Sequence, residues 1–511
     1  MGPEASSSVV GAGDAGVALR TDLYQLTMAQ GYFLAGLHER PACFVLSFRS
    51  NPFEGGFAVA AGLELVLDYL RDWRFTAGEL SYLASLPAPD GTPLFVPDFL
   101  EHLRDLRLSV DLRALPEGEI CFAQEPLLRI CGPIEQCQLL ETPLLNLINF
   151  STLIATKAAR CVLAAEGAPL LEFGLRRAQG PDGGLTATRA AYIGGCSATS
   201  NVEAGQRFGI PVAGTHAHSW VMAFDDELAA FRAYAQASPN NLVLLVDTYD
   251  TLQGVRNAIT VGRELRERGH QLQGIRIDSG DLAWRSKQAR ALLDEAGFGA
   301  TKIYCSNELD EYTISSLKDQ GAPIDVWAVG TRLATGYPAA ALGGVYKLSA
   351  LADESGAWRP KLKLSDQSAK TTIPGLQSVR RYYRADGRLD GDLVYDSEQP
   401  PVAAGPVTMF DPADMTRSKT FADGARFREL LRPVVSGGAP CADADIDAPR
   451  PALSELRART LAGLETLDET HKRWLRPHSY PVGLEANLAR TRLRLISQAR
   501  GTDESVLFED A

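Results

Sequence analysis

From residue 144 onward, short apolar runs alternate with amphipathic stretches. The runs at 169–173, 192–195, 210–214, 242–247, 273–278, 302–306, 324–330 and 343–348 read as strands, and helical patterns fill most intervals, notably 225–235, 252–268, 281–296 and 308–319. Alternation at roughly 20 to 30 residues per unit is the pattern of a parallel sheet covered by helices, and eight units predict an irregular β/α barrel. An open, doubly wound sheet is the alternative. The barrel is favoured because polar, glycine-bearing turns follow nearly every run rather than marking one switch point. In a barrel all strand carboxyl ends share one face, so Phe173, His218, Asp247, Asp278, Ser306 and Thr331 are expected to converge.

The flanking regions read differently. Residues 1–17 are small and polar and are expected to be disordered. Thr21-Asp22 is a helix N-cap signal, 43–48 a strand, 63–73 a helix, and 106–130 a set of short strands, so 18–142 forms a mixed α+β domain. A long helix, 144–165, leads into the barrel, 143–349. Basic and polar strands at 361–364, 380–383 and 393–395 return the chain to the α+β domain over 350–436. A Gly/Ala/Pro/Asp-rich linker at 437–451 opens a helical C-terminal segment, 437–511.

With 511 residues and 45% hydrophobic content, the chain can bury a full core. Its formal charge of −12 argues against nucleic-acid or anionic-membrane partners. The eight cysteines are scattered with no Cys-x-x-Cys pair, and no signal peptide or apolar stretch long enough to span a bilayer stands out, so a reduced, cytoplasmic protein is expected.

The chemistry concentrates in Gly214-Thr215-His216-Ala217-His218-Ser219. A His-x-His at a barrel strand end can begin a zinc site, but the later histidines such a site needs are missing: His270 precedes its strand, and His471 and His478 lie in the terminal segment. His216 and His218 are expected to face opposite sides, with His218 at the site and His216 as scaffold. In Arg276-Ile277-Asp278-Ser279-Gly280-Asp281, Ser279 reads as a helix cap favouring Asp281. Arg276 inside an apolar strand calls for an anion, and its planar fork suits a carboxylate. Asp278 is placed to bind ribose hydroxyls or to hold magnesium through water. Gly330-Thr331 and Gly343-Gly344 are small-residue turns after the last two runs, where barrels hold phosphate on backbone N–H groups.

These motifs, with Thr21-Asp22-Leu23-Tyr24-Gln25, Glu172-Phe173-Gly174-Leu175-Arg176-Arg177-Ala178 and Asp247-Thr248-Tyr249-Asp250, occur in one order between about residues 18 and 375. Together they resemble the nicotinate phosphoribosyltransferase family, of the type II phosphoribosyltransferase barrel fold. The segment after 437 is not needed for the resemblance. The resemblance implies that His218 is phosphorylated by ATP with Asp247 orienting its imidazole, and that Phe173 and a neighbouring subunit's Tyr24 sandwich the pyridine ring. It also implies Arg276 and Thr215 at the nicotinate side, Arg176 and Thr331 on phosphate, Asp278 and Asn307 on ribose, and Arg49 and Lys363 as candidates for pyrophosphate. Nicotinamide-specific relatives carry an aspartate where this chain has Ser200, which favours the acid as substrate. Nicotinate, phosphoribosyl pyrophosphate and ATP are the implied partners, magnesium the cofactor, and a homodimer with shared sites the assembly. A phosphoribosyltransferase acting on nicotinamide or quinolinate, or a silent barrel serving as a binding module, are the competing readings.

Overall fold

The computed structural model describes residues 16–365, 371–402, 404–441 and 451–501. Most of the expected disordered N-terminus and of the linker lies outside these residues.

Six short parallel strands form the barrel sheet, in the order Ala198–Thr199, Leu170–Glu172, Val326–Val329, Lys302–Cys305, Leu272–Ile277 and Leu242–Leu245. Three of the expected eight are corrected. Residues 192–195 mostly end the helix Gly180–Ile193, and the strand falls instead at Ala198–Thr199. The run is preceded by Ala190-Ala191, and alanine favours helix. The strand Gly344–Ala352 pairs antiparallel with Pro41–Phe48 in the other domain, so the barrel ends before 343 rather than at 349. Its partly exposed Lys347 suits a sheet solvated on one side, whereas strands of a parallel sheet covered by helices are apolar on both faces. Residues 210–214 contribute a single bridge, Thr199 to Val212, flanked by Pro211, which has no N–H to donate.

A gap therefore opens between Val212 and Leu242–Leu245, and His216 fills it. The Leu245 N–H donates to His216 Nε2 at 3.1 Å, while His216 Nδ1 lies 3.3 Å from the Ala217 carbonyl and the ring packs edge-on against Tyr234. Accepting at Nε2 requires neutral imidazole. Burial pushes the His216 pKa below its ordinary 6.5, and the nearby Arg276 and His218 add to the effect. Between the two values the unfolded chain binds more protons, so this contribution to stability is complete above pH 6.5 and is lost as the pH falls below it. Thermal unfolding between about pH 7 and about pH 5 checks this: His216→Gln, which keeps an acceptor in place but does not titrate, is expected to flatten the acid-side fall in Tm. An equal fall in both proteins would place the titration elsewhere.

The helix Glu141–Ala165 runs through the core beneath the barrel. By length and composition it could cross a membrane, contrary to the expectation from the sequence. Here it is mostly buried and carries Lys157 and Arg160, both paired with the buried Glu311 at the start of helix Glu311–Asp319. Such a cluster is costly unless every charge is paired, and it ties the core helix to the barrel wall.

The α+β domain is a seven-stranded sheet in which Pro41–Phe48 lies between Gly344–Ala352 and Leu128–Pro133. Residues 377–429 build most of a separate six-stranded sheet, with a small core of Tyr382, Leu393, Val407, Met409 and Phe421. No strand forms at 361–364; the chain is extended only at Trp358–Pro360. The C-terminal segment is integral to the fold. Its helix Leu453–Thr466 packs on Gly180–Ile193, and its strand Val482–Glu485 lies inside the six-stranded sheet. Tyr480 stacks on Phe122 at 3.7 Å between centroids and donates to Asp392, which also binds buried Arg381. Truncation before Leu453 is expected to leave insoluble protein, because it removes an internal strand and takes the Tyr480 hydroxyl from buried Asp392; recovery of soluble, cooperatively melting protein would show the segment to be dispensable.

Candidate active site

Strand alternation builds the site. Leu171, Ala198, Ala213, Tyr304, Val326 and Ala328 form one small apolar cluster with Phe173, which fills the barrel interior. Gly274 belongs to the same layer, for a Cβ there would sit 2.6 Å from the Tyr304 ring. Residues two positions further along a strand point the same way. Phe173, Ser200, Thr215, Arg276, Ser306 and Gly330 each stand two residues beyond a member of this layer, and all line one cavity of about 440 Å³ above it. Arg176, Asp278, Asn307 and Thr331 line it too, together with Arg177 and Glu308. A larger cavity of about 900 Å³ between helices Leu63–Asp72, Glu141–Ala165 and Gly180–Ile193 holds none of the strand-end motifs, so the chemistry assigns the site to the smaller one.

Arg276 is the centre of the cavity. Nε donates to Ser306 Oγ at 2.9 Å, Nη1 to Thr215 Oγ1 at 3.0 Å, and Nη2 lies 3.4 Å from Asp278 Oδ1. The guanidinium carbon is 5.8 Å from the Phe173 ring centroid. Phe173 itself is held by its predecessor: Glu172, buried, accepts from Thr199 Oγ1 at 2.6 Å, Thr188 Oγ1 at 3.0 Å and the Gly174 N–H. Asn307 and Glu308 turn the chain with φ of 98° and 40°, a left-handed conformation uncommon outside glycine and one that recurs at functional loops.

His216 and His218 do face apart, but not through strand alternation, since residues two apart on a strand share a side. The extended path ends near Ala213, and His218 opens the short helix His218–Met222. Its side chain is 41% exposed; Nδ1 lies 3.1 Å from Thr248 Oγ1, and Nε2 lies 3.8 Å from Asp278 Oδ2. Among the described residues Asp247 makes no hydrogen bond to it, and the buried Asp247 Oδ1 has no hydrogen-bond partner. Asp247 Oδ2 accepts from the Asp278 N–H at 2.8 Å and the Ser279 hydroxyl at 2.7 Å, so it fixes the loop that carries Asp278. Ser279 is thus no helix cap; Asp281 caps Leu282–Glu295 by accepting from the Trp284 N–H. The Asp22 carboxylate likewise does not cap its helix and instead accepts from Thr142 Oγ1.

Seven expected residues are not among those lining the cavity: His218 and Asp247 border it through Asp278, and five others lie elsewhere on their own chain. Tyr24 is 48% exposed on the helix Leu23–Leu34, beside exposed Leu23 and Met28. The Arg49 N–H donates to the Gly343 carbonyl, and Gly344 faces Phe48 across the sheet, where a Cβ would run into Asn149. Gly344 therefore makes room for Asn149 beside the seven-stranded sheet, while a Cβ at Gly343 would meet nothing. The Lys363 N–H donates to Thr372 Oγ1, also away from the cavity. Thr248, Ser279 and Glu172 were missed as site-building residues; a lone carboxylate in the apolar run Leu170-Leu171-Glu172 was the one available signal.

Magnesium finds no protein cage: among the described residues, no group of three or more His, Cys, Asp or Glu could hold a metal. Asp278 fits the looser arrangement, in which one carboxylate and the substrate phosphates share the ion through water, because its Oδ2 accepts no hydrogen bond from any described residue.

Comparison with known proteins agrees along the whole chain. Residues 19–149 match the nicotinate phosphoribosyltransferase N-terminal domain, 169–384 the nicotinate phosphoribosyltransferase family, and 376–492 its C-terminal domain, so the segment after 437 is part of the family pattern. The chain is 42% identical over 499 residues to nicotinate phosphoribosyltransferase of Bacillus subtilis, covering 97% of this chain and 99% of that protein. It is 38% identical to the Bos taurus enzyme of that name, covering 92% and 95%. The crystal structure of human nicotinic acid phosphoribosyltransferase superposes with a TM-score of 0.80 at 36% identity, over 93% of this chain and 99% of that one. Three matched domains in order, a shared fold and a site at the expected strand ends establish that this chain belongs to the nicotinate phosphoribosyltransferase family.

Proposed function

We propose that the cavity joins nicotinate to phosphoribosyl pyrophosphate, giving nicotinate mononucleotide and pyrophosphate, and that ATP drives the reaction through phosphorylation of His218. The observation that carries this reading is the placing of Arg276 beside Phe173 above an apolar floor: one flat aromatic face and one guanidinium fork suit a flat ring bearing a carboxylate. Ser200 on the rim adds no negative charge against that carboxylate.

The pyridine nitrogen attacks the anomeric carbon as pyrophosphate leaves, and it needs no general base. Phe173 and Arg276 orient the ring so that its nitrogen points toward the cavity mouth, where Asp278 and Asn307 take the ribose hydroxyls and Arg176 and Thr331 the phosphate. Magnesium, when bound beside Asp278, would offset the charge of the departing pyrophosphate. His218, at the mouth, is open enough for ATP to reach its ring. Proximity to Asp278 couples the charge of a phosphorylated imidazole to the ribose end of the site.

Product formation from nicotinate and from nicotinamide, each with and without ATP, tests the assignment. Nicotinate is expected to be the faster substrate and ATP to stimulate it; faster turnover of nicotinamide would refute the substrate.

The assembly is a homodimer in this reading, in the cytoplasm, without nucleic-acid or membrane partners. Among the described residues Phe173 is the one aromatic ring lining the cavity, while Tyr24, Leu23 and Met28 lie exposed on one helix, as expected if a second copy brings Tyr24 to the other face of the pyridine, and Arg49 and Lys363 to the pyrophosphate. Mixing Tyr24→Ala with His218→Ala protein is expected to restore part of the activity each lacks, since one of the two shared sites then has both residues intact. A monomeric active species in sedimentation would overturn the shared site.

A further inference from the structure

Ser306 follows the strand Lys302–Cys305 and is 5% exposed. Its hydroxyl accepts from Arg276 Nε at 2.9 Å and donates to Asp278 Oδ1 at 2.5 Å. A hydroxyl has a single hydrogen, and with that hydrogen on the carboxylate its lone pairs face the guanidinium. Ser306 thus stands between a cation and an anion that are near neighbours on the same strand end. The closest approach of Arg276 Nη2 to Asp278 Oδ1 is 3.4 Å, well short of the paired, fork-to-fork contact these two groups favour.

That spacing matters for the site. A bidentate Arg276–Asp278 pair would fill the guanidinium edge and cancel the charge that a carboxylate ligand requires. It would also draw Asp278 Oδ2 away from the mouth, where it now faces His218. With Nε on Ser306 and one Nη1 hydrogen on Thr215, the other N–H groups of Arg276 have no hydrogen-bond acceptor among the described residues.

We propose that Ser306 is a positioning residue for substrate binding, which keeps the Arg276 fork open to a substrate carboxylate by holding Asp278 off it. The proposal rests on the reading above that Arg276 receives the nicotinate carboxylate. Without the hydroxyl, Arg276 and Asp278 are expected to close on each other, so the substrate must compete with an internal carboxylate.

The test compares the intact enzyme with Ser306→Ala, Ser306→Thr and Arg276→Gln, reading kcat and KM for nicotinate and the competitive inhibition constant of nicotinamide. Ser306→Ala is expected to raise the nicotinate KM about tenfold, the scale of one hydrogen bond to a charged group, with kcat changed by less than about twofold. Nicotinamide, which has no carboxylate, is expected to inhibit as before, and Ser306→Thr, which keeps the hydroxyl, to restore the KM. An unchanged KM in Ser306→Ala while Arg276→Gln raises it, or an equal loss for nicotinate and nicotinamide, would overturn the role of Ser306. An unchanged KM in Arg276→Gln would instead refute the reading of Arg276, and the proposal with it. Should Ser306→Ala not fold, Ser306→Cys takes its place, since a thiol is a weak donor of similar size.

Discussion

His218→Ala is expected to abolish the uptake of acid-labile phosphate from ATP and to reduce the stimulation of product formation by ATP to nothing, leaving an ATP-independent rate. The reason lies in the contrast between the two histidines. His216 has both ring nitrogens engaged inside the barrel seam and cannot present a lone pair to a nucleotide. His218 has one nitrogen beside the Thr248 hydroxyl and the other open at the cavity mouth, 3.8 Å from Asp278. A phosphate there adds roughly 1.5 to 2 negative charges next to a carboxylate, which raises the local demand for cations at the pyrophosphate end of the site. Continued phosphate uptake by His218→Ala would place the nucleophile elsewhere. Asp247→Asn makes a useful companion. Its amide oxygen can still hold the Asp278 N–H and the Ser279 hydroxyl, so phosphate uptake is expected to survive, whereas a carboxylate acting directly on the imidazole would be missed at once.

Arg276→Ala is expected to lower kcat/KM for nicotinate about a hundredfold or more, the scale for removing one member of a desolvated, hydrogen-bonded charge pair. The effect is large because Arg276 is only 13% exposed and stands above an apolar floor, so water screens the site poorly. Its loss also leaves Ser306 and Asp278 facing each other without their cation, so the KM for phosphoribosyl pyrophosphate is expected to rise as well, by a smaller factor. Nicotinamide as a competing ligand should be far less affected. Equal loss for the acid and the amide would mean that Arg276 supports the fold of the mouth rather than the carboxylate.

Much of this site was legible along the chain because parallel barrel strands repeat one local rule. Each apolar run ends in a polar turn, and period-two alternation carries the side chains beyond the interior layer into the same cavity. Phe173, Ser200, Thr215, Arg276, Asp278, Ser306 and Gly330 obey it, while Asn307, Thr331 and Arg176 reach the cavity from the turns that follow the strands. The errors arose where the rule stops. Gly343-Gly344 has the same small-residue appearance as Gly330, yet its strand belongs to another sheet, and only pairing with Pro41–Phe48 distinguishes the two. The run at 192–195 was apolar enough for a strand but too alanine-rich in what precedes it to leave the helix.

Hydrogen-bond partners were beyond any reading of local pattern. The side-chain types of Asp247 and His218 allow a direct bond; in the structure the N–H and hydroxyl of the Asp278-Ser279 loop take Asp247 Oδ2, once the strands are in register. The same holds for Ser306, an unremarkable serine in the chain that becomes the spacer between Arg276 and Asp278 when neighbouring strands bring all three to one level. The sequence alone determined the fold class, the family and the face of the barrel that carries chemistry, since hydrophobic periodicity and ordered motifs are local properties. Only the tertiary structure decided which polar group pairs with which, how His216 closes the seam, and that the elements between Leu453 and Arg500 are built into the fold. Those outcomes depend on strand register and on contacts between segments tens to hundreds of residues apart.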